Sequence, residues 1–287
     1  MSISEKIADI RATEPEKIAQ TLANRKKGSV PKDGAMLIIA CDHPARGALK
    51  AGADNTAMAD REELLSRCAE ALGRPGVHGF LGTADMIEDL ALMGALEGKL
   101  VYGSMNRAGL DGASFGIDDR FNCYDAAGVK AAGLDGGKML LRIHFDDPAT
   151  PATLDAAAKA VNELADEKVM AMVEPFISET KDGRIVNNLE PQAVIRSIAI
   201  AEGLGRTSAY TWLKLPCVPD MEKVMAATTL PSLILGGEVS SDPEAAMNGW
   251  GKALKLPNVK GLVIGRSLLF PPDGDVAKAV DQTVEML

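Results

Sequence analysis

The sequence has few histidines and cysteines, and their spacing argues against two common kinds of site. Of 287 residues, three are histidine and four are cysteine. The histidines, His43, His78 and His144, form no H-E-x-x-H or clustered pattern, which disfavours a zinc site. The cysteines lie far apart without a C-x-x-C pair, as is typical of reduced thiols in a cytosol. We therefore expect a cytoplasmic protein without a bound metal or cofactor.

Long apolar runs and an excess of positive charge are missing as well. No apolar stretch reaches the length needed to span a membrane, and residues 1–25 are charged throughout, unlike a signal peptide. The formal net charge of −9 argues against a general nucleic-acid surface. We expect no nucleic-acid or membrane partner, whereas a few local donors would suffice to hold a small anionic ligand.

Short apolar runs alternate with helical patterns along residues 35–287. The runs predict eight strands, because continuous apolar stretches are typical of a parallel sheet covered on both faces. The predicted strands are Met36–Cys41, Val77–Gly82, Leu100–Met105, Lys138–Ile143, Val169–Val173, Ala209–Pro216, Leu233–Leu235 and Gly261–Ile264. Each is followed by a predicted helix, including one from about Asp119 to Ala132, while residues 181–183 form a polar loop.

Eight such units in this length predict an α/β fold, a single (β/α)8 TIM barrel. An open doubly wound sheet is the main alternative, but no G-x-G-x-x-G follows the first strand. Residues 1–30 are predicted to form an N-terminal helical extension, interrupted near Pro15. We expect residues 1–287 to form one domain.

The predicted strand Ala209–Pro216 contains a lysine, Lys214, between apolar neighbours near its C-terminal end. Burying a long cation costs free energy unless it is paired or loses its proton. A neutral lysine amine can form a Schiff base with a carbonyl group. The alternative is a lysine whose head lies in solvent. In a TIM barrel the chemistry lies at the C-terminal strand ends, which favours the first interpretation.

Other charged residues follow predicted strands at the same end. Glu174 and Asp42 could move the hydroxyl proton that a carbon–carbon cleavage requires, and we leave open which of them does so. A second cation beside Lys214 would favour its neutral form by like-charge repulsion, and Lys138 is the candidate. The alternative is that Lys138 lies at the start of its strand, at the wrong end for chemistry.

Two sets of residues are candidates for binding anions. Gly236-Gly237 and Gly265-Arg266 end the last two predicted strands, where TIM barrels often bind phosphate through backbone N–H groups. Arg142 and His144 end the fourth strand and could bind a second anion or a carboxylate. Alternatively, they form a salt bridge with Asp42, Glu174 or Asp146.

Taken together, these motifs resemble the class I, Schiff-base aldolases of the DeoC/LacD/DhnA superfamily over roughly residues 35–285. The similar segments are Ile38–His43, Gly137–Leu141, Val173–Pro175, Trp212–Lys214, Leu235–Gly237 and Val263–Arg266. The resemblance implies that Lys214 forms the Schiff base and that Asp42 is the first-strand aspartate. It also implies that Lys138 and Glu174 match the lysine–glutamate pair of tagatose-bisphosphate-type aldolases. Gly237, Gly265 and Arg266 would hold the phosphate of a dihydroxyacetone phosphate unit.

The substrate implied by the resemblance is a phosphorylated sugar, and Arg142 and His144 depart from the tagatose type. An arginine there would suit an acidic far end, as in 6-phospho-5-dehydro-2-deoxygluconate or sulfofructose phosphate. Tagatose- or fructose-bisphosphate and deoxyribose-phosphate aldolases are alternatives, as is transaldol or acyl transfer. A non-catalytic, sugar-phosphate-binding regulatory barrel is an alternative of another class. Such barrels often assemble, so we expect a homo-oligomer.

Overall fold

A closed barrel of parallel strands forms the centre of the protein. The computed structural model describes residues 1–239 and 242–287. The strands are β1 (Met36–Cys41), β2 (Gly79–Gly82), β3 (Leu100–Ser104), β4 (Gly136–Ile143), β5 (Met170–Lys181), β6 (Arg184–Asn187), β7 (Thr211–Pro216), β8 (Ser232–Leu235) and β9 (Val259–Ile264). Within the described ranges, eight of them pair in the order β1-β2-β3-β4-β5-β7-β8-β9, and β9 pairs with β1 to close the ring. The predicted TIM barrel is confirmed.

Helices connect the strands and cover the barrel. They are α1 (Ile3–Thr13), α2 (Glu16–Asn24), α3 (Arg61–Gly73), α4 (Ala84–Leu92), α5 (Ala126–Ala131), α6 (Thr150–Asp166), α7 (Pro191–Glu202), α8 (Met221–Met225), α9 (Pro243–Ala253), α10 (Arg266–Leu269) and α11 (Val276–Val284). None of the helices in the described part of the chain is long and apolar enough to cross a membrane.

Side chains alternate between the two faces of each barrel strand, which explains the continuous apolar runs. One set fills the barrel interior: Met36, Ile38, Ala40, Leu81, Leu100, Tyr102, Met170, Met172, Leu233 and Val263. The intervening residues, such as Leu37 and Ile39 in β1, pack outward in a larger core shared with the helices. Both faces are therefore buried, as parallel sheets require.

Two local predictions differ from the structure. The segment predicted as a polar loop at 181–183 is the turn of a hairpin between the extended β5 and antiparallel β6. Asp182 and Gly183 have φ angles of 50° and 73°, a pair of left-handed residues that favours a two-residue hairpin turn. The helix predicted from Asp119 begins only at Ala126. Asp125 caps it by accepting a hydrogen bond from Gly128 N at 2.6 Å.

The N-terminal extension consists of α1 and α2, separated near Pro15 as predicted. Arg11 and Arg61 both pair with the buried Asp89 of α4, which joins α1 to the barrel helices. After α2, the buried Arg25 donates hydrogen bonds to the carbonyl oxygens of Lys99, at 2.8 Å, and Gly133, at 3.1 Å. These residues precede β3 and β4, so Arg25 joins the extension to the N-terminal end of the barrel.

Candidate active site

Three of the four predicted catalytic side chains meet directly at the C-terminal mouth of the barrel. Lys214 Nζ lies 2.7 Å from Glu174 Oε1, and Lys138 Nζ forms a closer ion pair with Glu174 Oε2. Lys138 Nζ also donates to Asp42 Oδ2 at 3.2 Å, which brings the fourth residue into the same cluster. These four residues are between 1% and 7% exposed. The charges therefore interact with little solvent between them.

The stagger between neighbouring strands explains how Lys138 reaches this mouth. Lys138 is the third residue of β4, but it pairs with Ser104, the last residue of β3. It therefore lies level with the C-terminal end of the neighbouring strand. Glu174 follows Val173, which pairs with Leu213, so Glu174 and Lys214 lie side by side. The lysine at a strand start is thus not at the wrong end of the barrel.

Asp42 has two further partners, Ser104 and Arg107, for which the sequence predicted no role. Its Oδ2 accepts a hydrogen bond from Ser104 Oγ at 3.0 Å, and Arg107 Nη2 lies 2.9 Å from the same oxygen. Ser104 ends β3 and Arg107 lies in the loop after it, so both lie at the same mouth of the barrel as Asp42. The polar residues Ser104, Asn106 and Arg107 at the end of a predicted strand were the available signal.

The buried charges shift one another's protonation. Burial raises the pKa of Glu174, but the charges of Lys138 and Lys214 outweigh it and lower that pKa to about 2. Burial lowers the pKa of Lys138 to about 8, despite the nearby carboxylates of Asp42 and Glu174. At neutral pH the cluster therefore holds ionised carboxylates beside a lysine that is close to losing its proton.

The two glycine turns lie at the same mouth, on neighbouring strands. Gly236 follows β8 and Gly265 follows β9, which pairs with β1 beside Asp42. A Cβ on Gly265 would clash with the carbonyl oxygen of Ala40, and one on Gly236 would lie 2.6 Å from Ile264 Cγ2. Close packing therefore accounts for both glycines. Gly237 differs, because its φ is 72° and no described residue lies within 4 Å of the position its Cβ would take.

Arg266 begins α10 directly after Gly265. Its Nη1 donates a hydrogen bond to the carbonyl oxygen of Lys50 at 3.3 Å. Its buried Nε has no hydrogen-bond partner within the described residues. His43 lies nearby, and burial lowers its pKa to about 3, so its ring is neutral at neutral pH. This corner therefore combines a neutral imidazole with the guanidinium of Arg266.

Arg142 and His144 bond to groups in the loop after β3 and in β5. Arg142 Nη2 donates to the carbonyl oxygens of Gly109, at 3.2 Å, and of Gly116 in the loop after β3. Its ion pair, at 3.9 Å, is with Asp119 rather than with any of the three acids considered above. His144 Nε2 lies 3.0 Å from Thr180 Oγ1 on the extended end of β5.

Asp119, predicted as the first residue of a helix, lies in the loop after β3. It is 1% exposed, forms an ion pair with Arg46 and accepts a hydrogen bond from Gly109 N at 3.1 Å. Arg46 also donates to the carbonyl oxygens of Gly109 and Asn106, at 2.8 and 2.7 Å. These contacts hold the loop over the β3–β4 side of the mouth.

Among residues 1–239 and 242–287, no group of three His, Cys, Asp or Glu side chains could hold a metal ion. The chemical groups gathered at the mouth are instead amines, carboxylates and guanidinium groups. An amine beside a carboxylate is an arrangement suited to nucleophilic attack on a carbonyl group, with proton transfer to or from the carboxylate.

Comparison with known proteins gives both a family and a fold. A family profile described as Cgl0159-like matches residues 34–284. The crystal structure of Cgl0159 from Corynebacterium glutamicum is 50% identical in sequence, and the match covers 99% of this chain and 96% of that one, with a TM-score of 0.96. A search of curated proteins found no significant match.

Two more distant structures share the barrel. A Schiff base forming fructose-1,6-bisphosphate aldolase is 17% identical over 94% of this chain and 99% of that one, with a TM-score of 0.66. An archaeal fructose 1,6-bisphosphate aldolase is also 17% identical over 94% and 98% of the two chains, with a TM-score of 0.64. At this identity, the likeness shows that the fold is aldolase-like.

Proposed function

This chain belongs to the Cgl0159-like family, and we propose that it is a class I, metal-independent aldolase of the DeoC/LacD/DhnA superfamily. In this proposal it cleaves a phosphorylated ketose by retro-aldol chemistry and releases dihydroxyacetone phosphate and an aldehyde. The observation that carries the proposal is the buried contact between Lys214 Nζ and Glu174 Oε1, 2.7 Å long, with Lys138 on the second carboxylate oxygen.

The proposed reaction begins with attack of the neutral Lys214 amine on the ketone carbon. The carbonyl oxygen takes one proton from the nitrogen and one from an acid group, and leaves as water, which gives an iminium ion. The iminium accepts the electron pair of the adjacent carbon–carbon bond while a carboxylate removes the hydroxyl proton. The aldehyde then leaves, and protonation and hydrolysis of the remaining enamine release dihydroxyacetone phosphate and the amine.

Glu174 and Asp42 both remain candidates for the carboxylate that removes the hydroxyl proton. Glu174 touches Lys214, whereas Asp42 reaches the cluster through Lys138. Glu174 is therefore well placed to exchange protons at the nitrogen. Asp42 has Oδ2 occupied by its partners, and its Oδ1 has a longer contact, 3.9 Å, with His43 Nδ1.

We propose an acidic ketose phosphate as the substrate, with 6-phospho-5-dehydro-2-deoxygluconate first and sulfofructose phosphate second. The phosphate would bind at Gly237, Gly265 and Arg266. The acidic far end would lie towards the β3–β4 side, where Arg142 adds positive charge; burial lowers its pKa only to about 10, so it stays charged at neutral pH. Substrate profiling tests this part: Arg142→Ala should reduce the preference for acidic over neutral ketose phosphates. An unchanged preference would contradict it.

Borohydride trapping tests the proposed chemistry. Reduction in the presence of dihydroxyacetone phosphate should add the mass of the reduced adduct to Lys214, as peptide mass spectrometry would show. Lys214→Arg, which keeps the charge but is not a Schiff-base nucleophile, should remain unmodified. An adduct on another lysine, or none on the wild-type protein, would contradict the proposal. An adduct without cleavage of any ketose phosphate would point to another Schiff-base reaction.

A further inference from the structure

Arg107 is buried against the lysine–carboxylate cluster, yet the steps proposed above give it no part. It is 3% exposed. Its Nη2 lies 2.9 Å from Asp42 Oδ2, as an ion pair without hydrogen-bond alignment. Its Nη1 donates a hydrogen bond to the main-chain oxygen of Asp42 at 3.2 Å. The guanidinium thus contacts both the carboxylate and the backbone of Asp42.

Contacts on the loop after β3 fix the position of Arg107. Its Nε donates to the carbonyl oxygen of Asn106 at 2.8 Å, and its backbone N–H donates to Asn122 Oδ1 at 2.8 Å. The Asn106 side chain in turn bonds to both backbone groups of Leu140 in β4: Nδ2 to the oxygen at 2.6 Å and Oδ1 to the N–H at 2.8 Å. This amide continues the β3–β4 pairing beyond the end of β3.

Charge balance alone does not explain Arg107. Lys138 and Lys214 already match the two carboxylates of Asp42 and Glu174 in number. Arg107 adds a further buried cation to this balanced group, and burying a cation is unfavourable unless its interactions repay the loss of hydration. Its contacts are concentrated on Asp42, which indicates that its effect is exerted through that carboxylate.

We propose that Arg107 is a positioning residue that acts through Asp42. It fixes the carboxylate towards Lys138 and keeps it ionised while protons move along Lys138, Glu174 and Lys214. This inference rests on the proposed function, because it assigns Arg107 a part in the same reaction. An arginine that served only to hold the loop would leave the pH dependence of the reaction unchanged when it is replaced.

The surroundings of Asp42 support this role. The titratable or charged groups that interact with it electrostatically are the side chains of His43, Arg107, Lys138, Glu174 and Lys214 and the thiols of Cys41 and Cys123. Burial raises the pKa of Asp42, but the charges of Arg107 and then Lys138 lower it well below its ordinary value of 3.8. Removing the arginine should therefore raise this pKa, so protonation of Asp42 would begin at higher pH.

The pH profile of kcat/KM tests the proposal. In Arg107→Gln the acid limb should move to higher pH by roughly 1–3 pH units, the usual effect of a neighbouring arginine on an aspartate. In Arg107→Lys the acid limb should lie closer to that of the wild type, because the lysine keeps the positive charge. Arg25→Met, which removes another buried arginine, at the opposite end of the barrel, should leave the acid limb unmoved. If Arg107→Gln does not fold, Arg107→Met replaces it.

A measurement without substrate separates this inference from the proposed function. The carboxyl carbon of Asp42, labelled with ¹³C and assigned by its loss in Asp42→Asn, should titrate at higher pH in Arg107→Gln than in the wild type. Coincident titration curves and coincident acid limbs would overturn the inference, even if Lys214 is trapped by borohydride. A failure to trap Lys214 would overturn the proposed function while leaving the titration of Asp42 as the test of Arg107.

Discussion

Glu174 holds its carboxylate between the side-chain nitrogens of Lys138 and Lys214. This arrangement makes the free energy of unfolding depend on pH in the acid range. Its pKa is about 2 in the folded protein, against an ordinary value of 4.5. Because the folded-state pKa is the lower one, the stabilisation is fully present above pH 4.5 and is lost as the pH falls towards 2. The difference corresponds to about 3 kcal/mol.

The first prediction concerns this loss. Between pH 5 and pH 2 the free energy of unfolding of the wild type should fall by about 3 kcal/mol more than that of Glu174→Gln. Urea titrations at several pH values measure it. Glu285→Gln, a substitution at an exposed position, is the control and should follow the wild type. If the free energy of unfolding fell equally with pH in the wild type and in Glu174→Gln, the pairing of Glu174 with Lys138 and Lys214 would be contradicted.

Lys138 connects the carboxylates of Asp42 and Glu174, and its pKa lies close to neutral pH. With a pKa of about 8, it loses the cation that bridges Asp42 and Glu174 as the pH rises through that value. If the bridge is needed in the reaction, kcat/KM should fall on the basic side near pH 8. In Lys138→Arg, whose side chain stays charged, this basic limb should disappear or move to higher pH.

Removal of the bridge is the second prediction. Lys138→Met should lower kcat about 100-fold or more, within the usual range for a group that assists proton transfer. Folding should survive, because Arg107 still neighbours Asp42 and Lys214 still neighbours Glu174. Steady-state kinetics and thermal unfolding measure the two effects. Normal turnover in Lys138→Met would assign the lysine a structural role only.

At the scale of the elements, the turns after β8 and β9 form the candidate phosphate site. Gly236 and Gly265 are explained by close packing, but Gly237 has a left-handed φ of 72° and no neighbour, among residues 1–239 and 242–287, within 4 Å of the position a Cβ would take. Gly94, at the end of α4 and away from the mouth, has a φ of 73° and similarly open surroundings. The two glycines therefore form a matched pair.

The third prediction uses this pair. Gly237→Ala and Gly94→Ala should each lower the free energy of unfolding by about 1 kcal/mol, because alanine disfavours the left-handed region. Only Gly237→Ala should also raise KM for a ketose phosphate, since its Cβ would interfere with the approach of the phosphate to the backbone. Equal KM values for the two variants would remove Gly237 from the phosphate site.

Most barrel elements could be predicted from the sequence because each buried strand is a separate apolar run. The hairpin at β6 was missed although its signal was present: Asp182-Gly183 is a pair that favours a tight two-residue turn. The start of α5 was predicted too early, at about Asp119. Asp119 instead forms an ion pair with Arg46 from the distant β1–α3 loop, and the spacing of apolar residues along the sequence does not reveal such a tertiary contact.

The residues of the candidate site could be proposed from the sequence, but the level at which each lies along the barrel axis could not. Lys214, Glu174 and Asp42 lie at or directly after the C-terminal ends of the predicted strands, where the barrel rule places chemistry. The position of Lys138 depends on the stagger between β3 and β4, which pairs it with Ser104. That offset is set by pairing across the whole ring, so counting residues within one strand could not decide it. Arg142 bonds to loop carbonyl groups through Nη2, and its predicted role in binding an anion or a carboxylate stays a prediction.

At the scale of the whole molecule, one buried arginine ties the N-terminal extension to the barrel. Arg25 is 6% exposed and contacts the carbonyl oxygens of Lys99 and Gly133, just before β3 and β4. It also lies 3.4 Å from Asp135 Oδ2, and this carboxylate oxygen accepts a hydrogen bond from Val101 N at 2.8 Å. The N-terminal ends of both strands thus share one set of contacts with the extension.

The fourth prediction follows from these contacts. Arg25→Ala should lower the free energy of unfolding by about 2–4 kcal/mol, because it removes the buried guanidinium's hydrogen bonds to the carbonyl oxygens of Lys99 and Gly133 and its ion pair with Asp135. KM should change little, since the arginine lies at the end of the barrel opposite the mouth. Denaturant unfolding and kinetics measure both. Lys26→Ala, at the adjacent exposed position, is the control; an equal effect from it would contradict the importance of Arg25.

The contacts from Arg107 through Asp42, Lys138 and Glu174 to Lys214 form an unbroken chain of alternating charge. A proton gained or lost by Asp42, Lys138 or Glu174 therefore alters the electrostatic potential at the other two, and these three groups titrate as a coupled system. An anion that enters the mouth should draw protons into this system from bulk water. Calorimetry in buffers of different ionisation enthalpy would then register ligand binding partly as heat exchanged with the buffer.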